Sequence, residues 1–400
     1  MKILIQKFGG TSVSTEERRA FVVEKIKKAR EDGYSPVVVV SAMGRKGQPY
    51  ATDTLLSLVS QDFKDASPLA ADLLMSCGEI ISTVIMCDDL KKNGIAAVPL
   101  TGGQAGIVTD NKYNNATIVK VNPDRILNLI NEDKVPVIAG FQGISESGYV
   151  TTLGRGGSDT TAALLGVALH ADEIQIYTDV DGIMTADPRI VEDASLIEEI
   201  SYNEVFQLAD EGARVIHPRA VEIAMKANIP LVIKNTMSEC SGTVISSFRK
   251  QNPDNVIIGI TAMSNRVQVT METSENNGNN NYSYVLDEIA KSKISIDLIN
   301  IFPKEKVFTI DKKDLNSFKN LMDKLEIRYS LIEDCTKISV VGSRIRGVPG
   351  VMSKIIRALE NVGIAVLQTA DSHTTIWCLV QSREAEKAIV ALHKDFNLGN

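Results

Sequence analysis

The chain has 400 residues, with 43 Lys and Arg against 50 Asp and Glu, a formal net charge of −7 and 44% hydrophobic residues. That length suggests about two to four domains of ordinary globular composition. The acidic balance argues against a dedicated nucleic-acid binder, and no apolar run approaches the ~18 residues of a membrane span, Val37–Val40 being strand-sized.

The start of the chain, Lys2–Gln6, reads as a short apolar strand, without the apolar core and cleavage site of a signal peptide. A charged amphipathic helix is expected over Thr15–Asp32. Pro36–Ser41 reads as a strand buried on both faces, since residues 37–40 are all Val. Leu69–Lys92 reads as a long helix carrying Cys77-Gly78-Glu79, Ala96–Leu100 as a strand, Pro123–Asn131 as a helix and Val135–Ala139 as a strand ending at Gly140. An apolar helix over Thr160–Leu169 is opened by Gly154-Arg-Gly-Gly-Ser-Asp159, and Glu173–Thr178 is a strand ending at Asp179. This alternation over residues 1–245 predicts an α/β domain with a mostly parallel sheet between helices. Ligands of such sheets collect at the carboxyl ends of strands, so the turns there are where chemistry is sought.

After the polar stretch Ser246–Asp254 the chain repeats itself with an offset of 70: Ser283, Leu286, Ile289, Ile294 and Val307 fall opposite Ser353, Ile356, Leu359, Ile364 and Trp377. Each copy reads strand, loop, helix, strand, strand, helix, which predicts two small α+β modules over 256–330 and 331–400.

Three turns could hold phosphate. Lys7-Phe8-Gly9-Gly10-Thr11-Ser12 joins the first strand to the first helix; its glycines expose N–H groups and Lys7 supplies a point charge. Gly154–Asp159 offers a forked cation (Arg155), a hydroxyl (Ser158) and a carboxylate (Asp159), the last also a common helix N-cap type. Thr178-Asp179-Val-Asp181-Gly182 runs on through Met184 to Asp187-Pro188-Arg189 and could orient a metal–nucleotide complex; alone it is more often a solvated turn. Glu79, taken alone, reads as an exposed helical Glu. The P-loop, the dinucleotide fingerprint and the protein-kinase set are absent. The four His have no ligand spacing and the five Cys are scattered and odd in number, which points to reduced thiols in a cytoplasmic protein without a bound metal.

Taken together, Lys7–Val13, Ser41-Ala-Met-Gly44, Thr52-Asp53, Gly78-Glu79, Gly140-Phe-Gln-Gly143, Thr152–Asp159, Thr178–Ile183, Asp187-Pro-Arg189 and Gly212-Ala-Arg-Val-Ile-His-Pro218 resemble the aspartokinases of the amino-acid-kinase superfamily. The tail resembles a tandem ACT (ferredoxin-like) regulatory region. The resemblance implies ATP-dependent phosphorylation of the side-chain carboxylate of L-aspartate, early in lysine, threonine and methionine biosynthesis, with Mg2+ carried largely by phosphates and water. By resemblance, Lys7 stabilises the transferring phosphoryl group and Asp159 orients Lys7. Phe8, Gly9, Gly10, Thr178, Asp179, Met184, Arg189 and Arg214 hold the nucleotide. Arg155 clamps the α-carboxylate of aspartate, Ser41, Thr52 and Ser158 support it, and Glu79 meets its ammonium. Two positions depart from the family pattern: Arg214 stands where Lys is usual and Met184 where Tyr is usual. The turn between Met43 and Thr52 is long and carries Arg45, Lys46 and Pro49, which suggests a lid.

The first ACT copy is implied to bind an end-product amino acid, lysine being favoured over threonine. Asn280, Asn281 and Tyr282 would take its carboxylate, Ile296 would line the site and Asp297 would meet its amino group; the bland reading of the Asn-rich loop is a flexible surface segment. The resemblance also allows the strand near Val256–Met263 to pack with the second copy, and implies a homo-oligomer, dimer or tetramer, through the ACT modules. Two alternatives remain open at this level: a related carboxylate kinase such as an N-acetylglutamate kinase, and an amino-acid sensor with an inactive kinase domain.

Overall fold

The computed structural model of the chain describes residues 1–213, 216–247, 256–272, 282–343, 345 and 348–399. These divide into two compact units: Met1–Ile183 with Leu196–Ala209 and Arg214–Lys250, and Met184–Ser195 with Asp210–Ala213 and Gln251–Asn400.

In the first unit the elements run β1 (Lys2–Phe8), α1 (Glu16–Glu31), β2 (Tyr34–Val40), α2 (Thr52–Leu56), α3 (Gln61–Ala66), α4 (Pro68–Lys92), β3 (Ala97–Leu100), β4 (Ile107–Thr109), β5 (Ile118–Val121), α5 (Asp124–Asn131), β6 (Val135–Ala139), β7 (Gln142–Ser145), β8 (Val150–Thr152), α6 (Gly157–Ala168), β9 (Glu173–Thr178), β10 (Glu199–Ser201), α7 (Tyr202–Asp210), α8 (Pro218–Ala227), β11 (Leu231–Asn235) and β12 (Thr243–Ser246). The main sheet has the order β10-β12-β11-β9-β1-β2-β6-β3, parallel except at β11–β12. The mostly parallel sheet read from the sequence is therefore present. A second, four-stranded sheet, β5-β4-β7-β8, has strands too short for the pattern to reveal.

Val37 to Val40 are fully buried, as a strand covered on both faces requires. Helix α1 is capped by the Thr15 side chain, which accepts from Arg18 N, with Glu16 and Glu17 in its first turn and Lys28 and Arg30 in its last, each favourable to the helix dipole. Its Val22, Val23 and Ile26 join Phe8, Val38, Val40, Met86 and Leu90 in one core. Helix α4 corrects the sequence reading of membrane spans: by length and composition it could cross a membrane. It is nonetheless a packed helix, set against β3, β6 and β8, and its Asp72, Ser76, Glu79, Ser82 and Thr83 are buried. Those polar positions break the apolar run to the eye while leaving the helix hydrophobic on average.

The second unit runs β13 (Ile257–Glu272), α9 (Tyr282–Lys291), β14 (Ile296–Ile301), β15 (Glu305–Asp311), α10 (Leu315–Lys324), β16 (Tyr329–Gly342), α11 (Val351–Asn361), β17 (Gln368–Asp371), β18 (Thr375–Gln381) and α12 (Ala385–Asp395). The 70-residue offset holds: β15 and β18, and the short 3-10 turns Lys312–Asp314 and Ser382–Glu384, superpose under it. The copies share one sheet, β14-β15-β13-β16-β18-β17, because β13 and β16 pair antiparallel along nearly their whole length. Ile257 and Ile260, at the start of β13, pack with Val340, Ile376 and Ile389 of the second copy, whereas Val267, Val269 and Met271 pack with Phe308 and Phe318 of the first. The opening strand thus serves both cores.

Candidate active site

Alternation along β1 sets the site. Leu4, Gln6 and Phe8 share one face, and the Phe8 ring is fully buried, stacked on Tyr177 at 4.7 Å. Phe8 was expected among the nucleotide contacts; its ring is core and its carbonyl accepts from Ser41 N within the sheet. Ile5 and Lys7 take the other face, toward α6. Lys7 Nζ lies 2.7 Å from Asp159 Oδ1, the side chains being 12% and 14% exposed.

Asp159 is not the N-cap of α6. That position is Gly156, at φ +68, where a Cβ would meet the His217 ring at 2.2 Å. The helix therefore starts earlier than read, at Gly157, and Asp159 falls in its first turn, where it takes the ammonium of Lys7. Ser158 is nearly buried beneath Gly140, and Arg155 is exposed on the turn before the helix.

The Gly-Gly turn after β1 packs on the turn after β2. Ser41 N donates to the Phe8 carbonyl at 3.1 Å and Gly44 N to that of Gly10 at 3.0 Å. A Cβ on Gly10 would lie 2.4 Å from the Ala42 oxygen, so only glycine allows this approach. Gly9 N donates to the Tyr177 carbonyl at 3.2 Å, which draws the end of β9 and Thr178-Asp179 alongside. Arg45, from the long turn, pairs with Asp179 at 2.6 Å.

Glu79 overturns its own bland reading. It is 3% exposed; its Oε1 accepts from Ala42 N at 3.1 Å, and its Oε2 has no hydrogen-bond partner among the described residues. Burial pushes its carboxyl up to about 8. Such a group is poised to gain a cation. Thr52 opens α2 in the same unit.

Asp72, which the sequence reading passed over, is a buried carboxylate on α4. It accepts from Thr152 N at 2.7 Å, Thr152 Oγ1 at 2.8 Å and Asn114 N at 3.0 Å. Burial raises its carboxyl, and the Asn114 and Thr152 hydrogen bonds pull it back. It thereby fixes the end of β8, the strand that leads into the Arg155 turn. An Asp near a helix start carries no signal for this, because its partners lie 42 and 80 residues away.

The structure thus gathers Lys7, Gly9, Gly10, Ser41, Glu79, Ser158, Asp159, Thr178 and Asp179 at the carboxyl ends of β1, β2, β6 and β9. Met184 and Arg189 belong to the second compact unit, where the Arg189 guanidinium is engaged by Asp187 at 2.6 Å. Arg214 lies outside the described residues.

Comparison with known proteins gives the family. Residues 2–235 match the amino acid kinase family and residues 330–394 the ACT domain. The chain is 44% identical to Aspartokinase 1 of Bacillus subtilis (strain 168) over 100% of both sequences. The chain belongs to the aspartokinases. It is an aspartate kinase, a phosphotransferase with a carboxyl acceptor. Two crystal structures of E. coli aspartokinase III, one with aspartate and ADP and one with lysine and aspartate, are similar at TM-scores of 0.78 and 0.79. Each is 25% identical, and they cover 98% and 99% of this chain and 99% and 100% of their own.

In the ACT region of this aspartokinase, Asn280 and Asn281 lie outside the described residues, and Tyr282 begins α9. Ile296 pairs with Ile310 and packs against the first-copy core. Asp297 Oδ2 accepts from Lys337 Nζ at 2.7 Å, and Lys337 is itself 3.0 Å from Glu211. Neither Lys337 nor Glu211 was read from the sequence.

Proposed function

We propose that the site transfers the γ-phosphoryl group of ATP to the side-chain carboxylate of L-aspartate, giving 4-phospho-L-aspartate and ADP. The observation that carries the reading is the Lys7–Asp159 pair at the carboxyl end of β1, beside the Gly9-Gly10 turn. Phosphoryl transfer asks for positioning and neutralisation of charge on the transferring group. The acceptor carboxylate is ionised near neutral pH, so no general base is required. Asp159 holds the Lys7 ammonium where it can meet the phosphoryl oxygens. Gly10 presents its backbone N–H to phosphate, Gly9 keeps the turn small while its own N–H holds the Tyr177 carbonyl, and Thr178 and Asp179 flank the nucleotide. Mg2+ arrives with ATP as part of the substrate, on phosphate and water oxygens.

Arg155 takes the α-carboxylate of aspartate, with Ser41, Thr52 and Ser158 beside it, and Glu79 takes the ammonium. The unpartnered Oε2 of Glu79 supports that role: a buried carboxylate with a spare acceptor favours a ligand cation. Residues 1–245 carry catalysis, 256–330 the effector module with Ile296 and Asp297, and 331–400 the module for pairing between copies. The effector is an end-product amino acid, lysine first and threonine second, and the enzyme works in the cytoplasm, in keeping with five free cysteines. Trapping of the acyl phosphate by hydroxylamine, with and without lysine and threonine, tests the reading. Hydroxamate formed from aspartate is expected; none from aspartate with a signal from N-acetylglutamate would overturn it.

A further inference from the structure

Lys337, on β16, is 4% exposed and has two carboxylates for one ammonium. Asp297 is at 2.7 Å, Glu211 at 3.0 Å, and the Trp377 ring at 5.8 Å covers the same cation. The two acids differ. Glu211 is buried, accepting from Ser339 Oγ at 2.7 Å, while its backbone oxygen accepts from Thr261 Oγ1 at 3.2 Å. The Asp297 side chain is 39% exposed. Among the described residues the cluster therefore carries one negative charge more than positive, and that surplus is accessible at Asp297. Buried charge is tolerated when paired, so a second cation arriving at Asp297 would complete the set.

Asp297 also stands where β14 loses register with β15, and its own Oδ1 accepts from Leu298 N at 2.8 Å. Its carboxylate is thus not tied to the ladder. Glu211, by contrast, belongs to residues 210–213, which lead directly along the chain to Arg214.

We propose that Lys337 is the positioning residue of the effector response, and that a free ammonium ligand at Asp297 shifts Lys337 from a shared pairing to Glu211 alone. This rests on the effector reading of Asp297 given above. With Asp297 neutralised by the ligand, the whole attraction of Lys337 falls on Glu211, and the segment 210–213 is held in a second arrangement. The two arrangements differ in affinity for the ligand, which is what allosteric linkage demands.

The full-length protein tests this by titration calorimetry with L-lysine and with L-threonine, alongside inhibition of hydroxamate formation read against each variant's own uninhibited rate. Glu211→Gln keeps shape but removes the surplus negative charge, so effector binding is expected to weaken about tenfold. The double variant Glu211→Gln with Lys337→Met removes both buried charges together and leaves Asp297 without a competitor. It is expected to bind at least as tightly as the wild type yet to lose inhibition. A merely structural role would not move binding in opposite directions. Unchanged binding in Glu211→Gln, or full inhibition in the double variant, overturns the relay. If Asp297→Ala abolishes binding in that case, the effector site stands and only the relay falls. Wild-type binding in Asp297→Ala, or no binding of either amino acid to the wild type, removes the effector reading and the relay with it. Should the double variant fail to fold, the near-isosteric single variant still decides through its binding.

Discussion

Lys7 in the first unit and Lys337 in the second each hold an aspartate oxygen at 2.7 Å, but the two pairs are built for different tasks. Lys7 faces one carboxylate, and both partners remain slightly open, so the ammonium is oriented and still available to an anion. Lys337 is more deeply buried and faces two carboxylates, so its own charge is spent and, among the described residues, the site is short of a cation. Charge stoichiometry, rather than distance, separates the group proposed to receive phosphate from the one proposed to answer to an ammonium. Glu79 falls between them: a lone buried carboxyl held neutral until a cation appears.

The largest effect should come from the first pair. Lys7→Ala is expected to lower turnover on the order of a thousandfold or more in the hydroxamate assay, with the fold intact by circular dichroism. Substantial residual activity would remove Lys7 from the chemistry. Asp72→Ala strands the Thr152 and Asn114 donors. A stability loss of about 2–4 kcal/mol in urea titration is expected. Asp72→Asn, retaining shape, should raise KM for aspartate more than it lowers kcat, since it loosens the approach to Arg155; an equal effect on KM for ATP would contradict this.

In the regulatory unit, Asp297→Ala is expected to lose inhibition by lysine, read as a flat dose–response curve. An unchanged curve would place the effector elsewhere. The smallest effects concern Glu79. Folding raises its carboxyl from the usual 4.5 to about 8, so between these values the folded chain holds a proton the unfolded chain lacks. Its contribution is complete below about pH 4.5 and is lost as pH rises through 8. Glu79→Gln should therefore raise Tm relative to the wild type at pH 9, with the gain shrinking toward pH 5. At pH 7, aspartate binding should release a proton, visible as buffer-dependent heat in calorimetry; buffer-independent heat would detach Glu79 from the ammonium.

Much of the catalytic unit was legible because it obeys local rules. The Val37–Val40 run reads as a strand covered on both faces, and the Gly-Gly turn after a strand allows the close backbone approach seen between Gly10 and Ala42. The repeat was visible because apolar periodicity survives in both copies. What escaped notice were pairings across the chain. The start of α6 was misplaced because a left-handed Gly156, wedged against His217, caps the helix in place of a side chain. The short strands β4, β5, β7 and β8 have too few residues for alternation to register.

The sequence by itself determined the alternation of longer strands and helices in the first unit, the 70-residue repeat and the glycine-rich turns at the strand ends. These follow from steric and hydrophobic rules that act over a few residues. Tertiary structure alone decided that Glu79 is buried, that Asp72 anchors Thr152 from 80 residues away, and that Lys337 shares itself between Asp297 and Glu211, 40 and 126 residues distant. Desolvation and charge pairing depend on which groups folding brings together, and sequence spacing carries no measure of that.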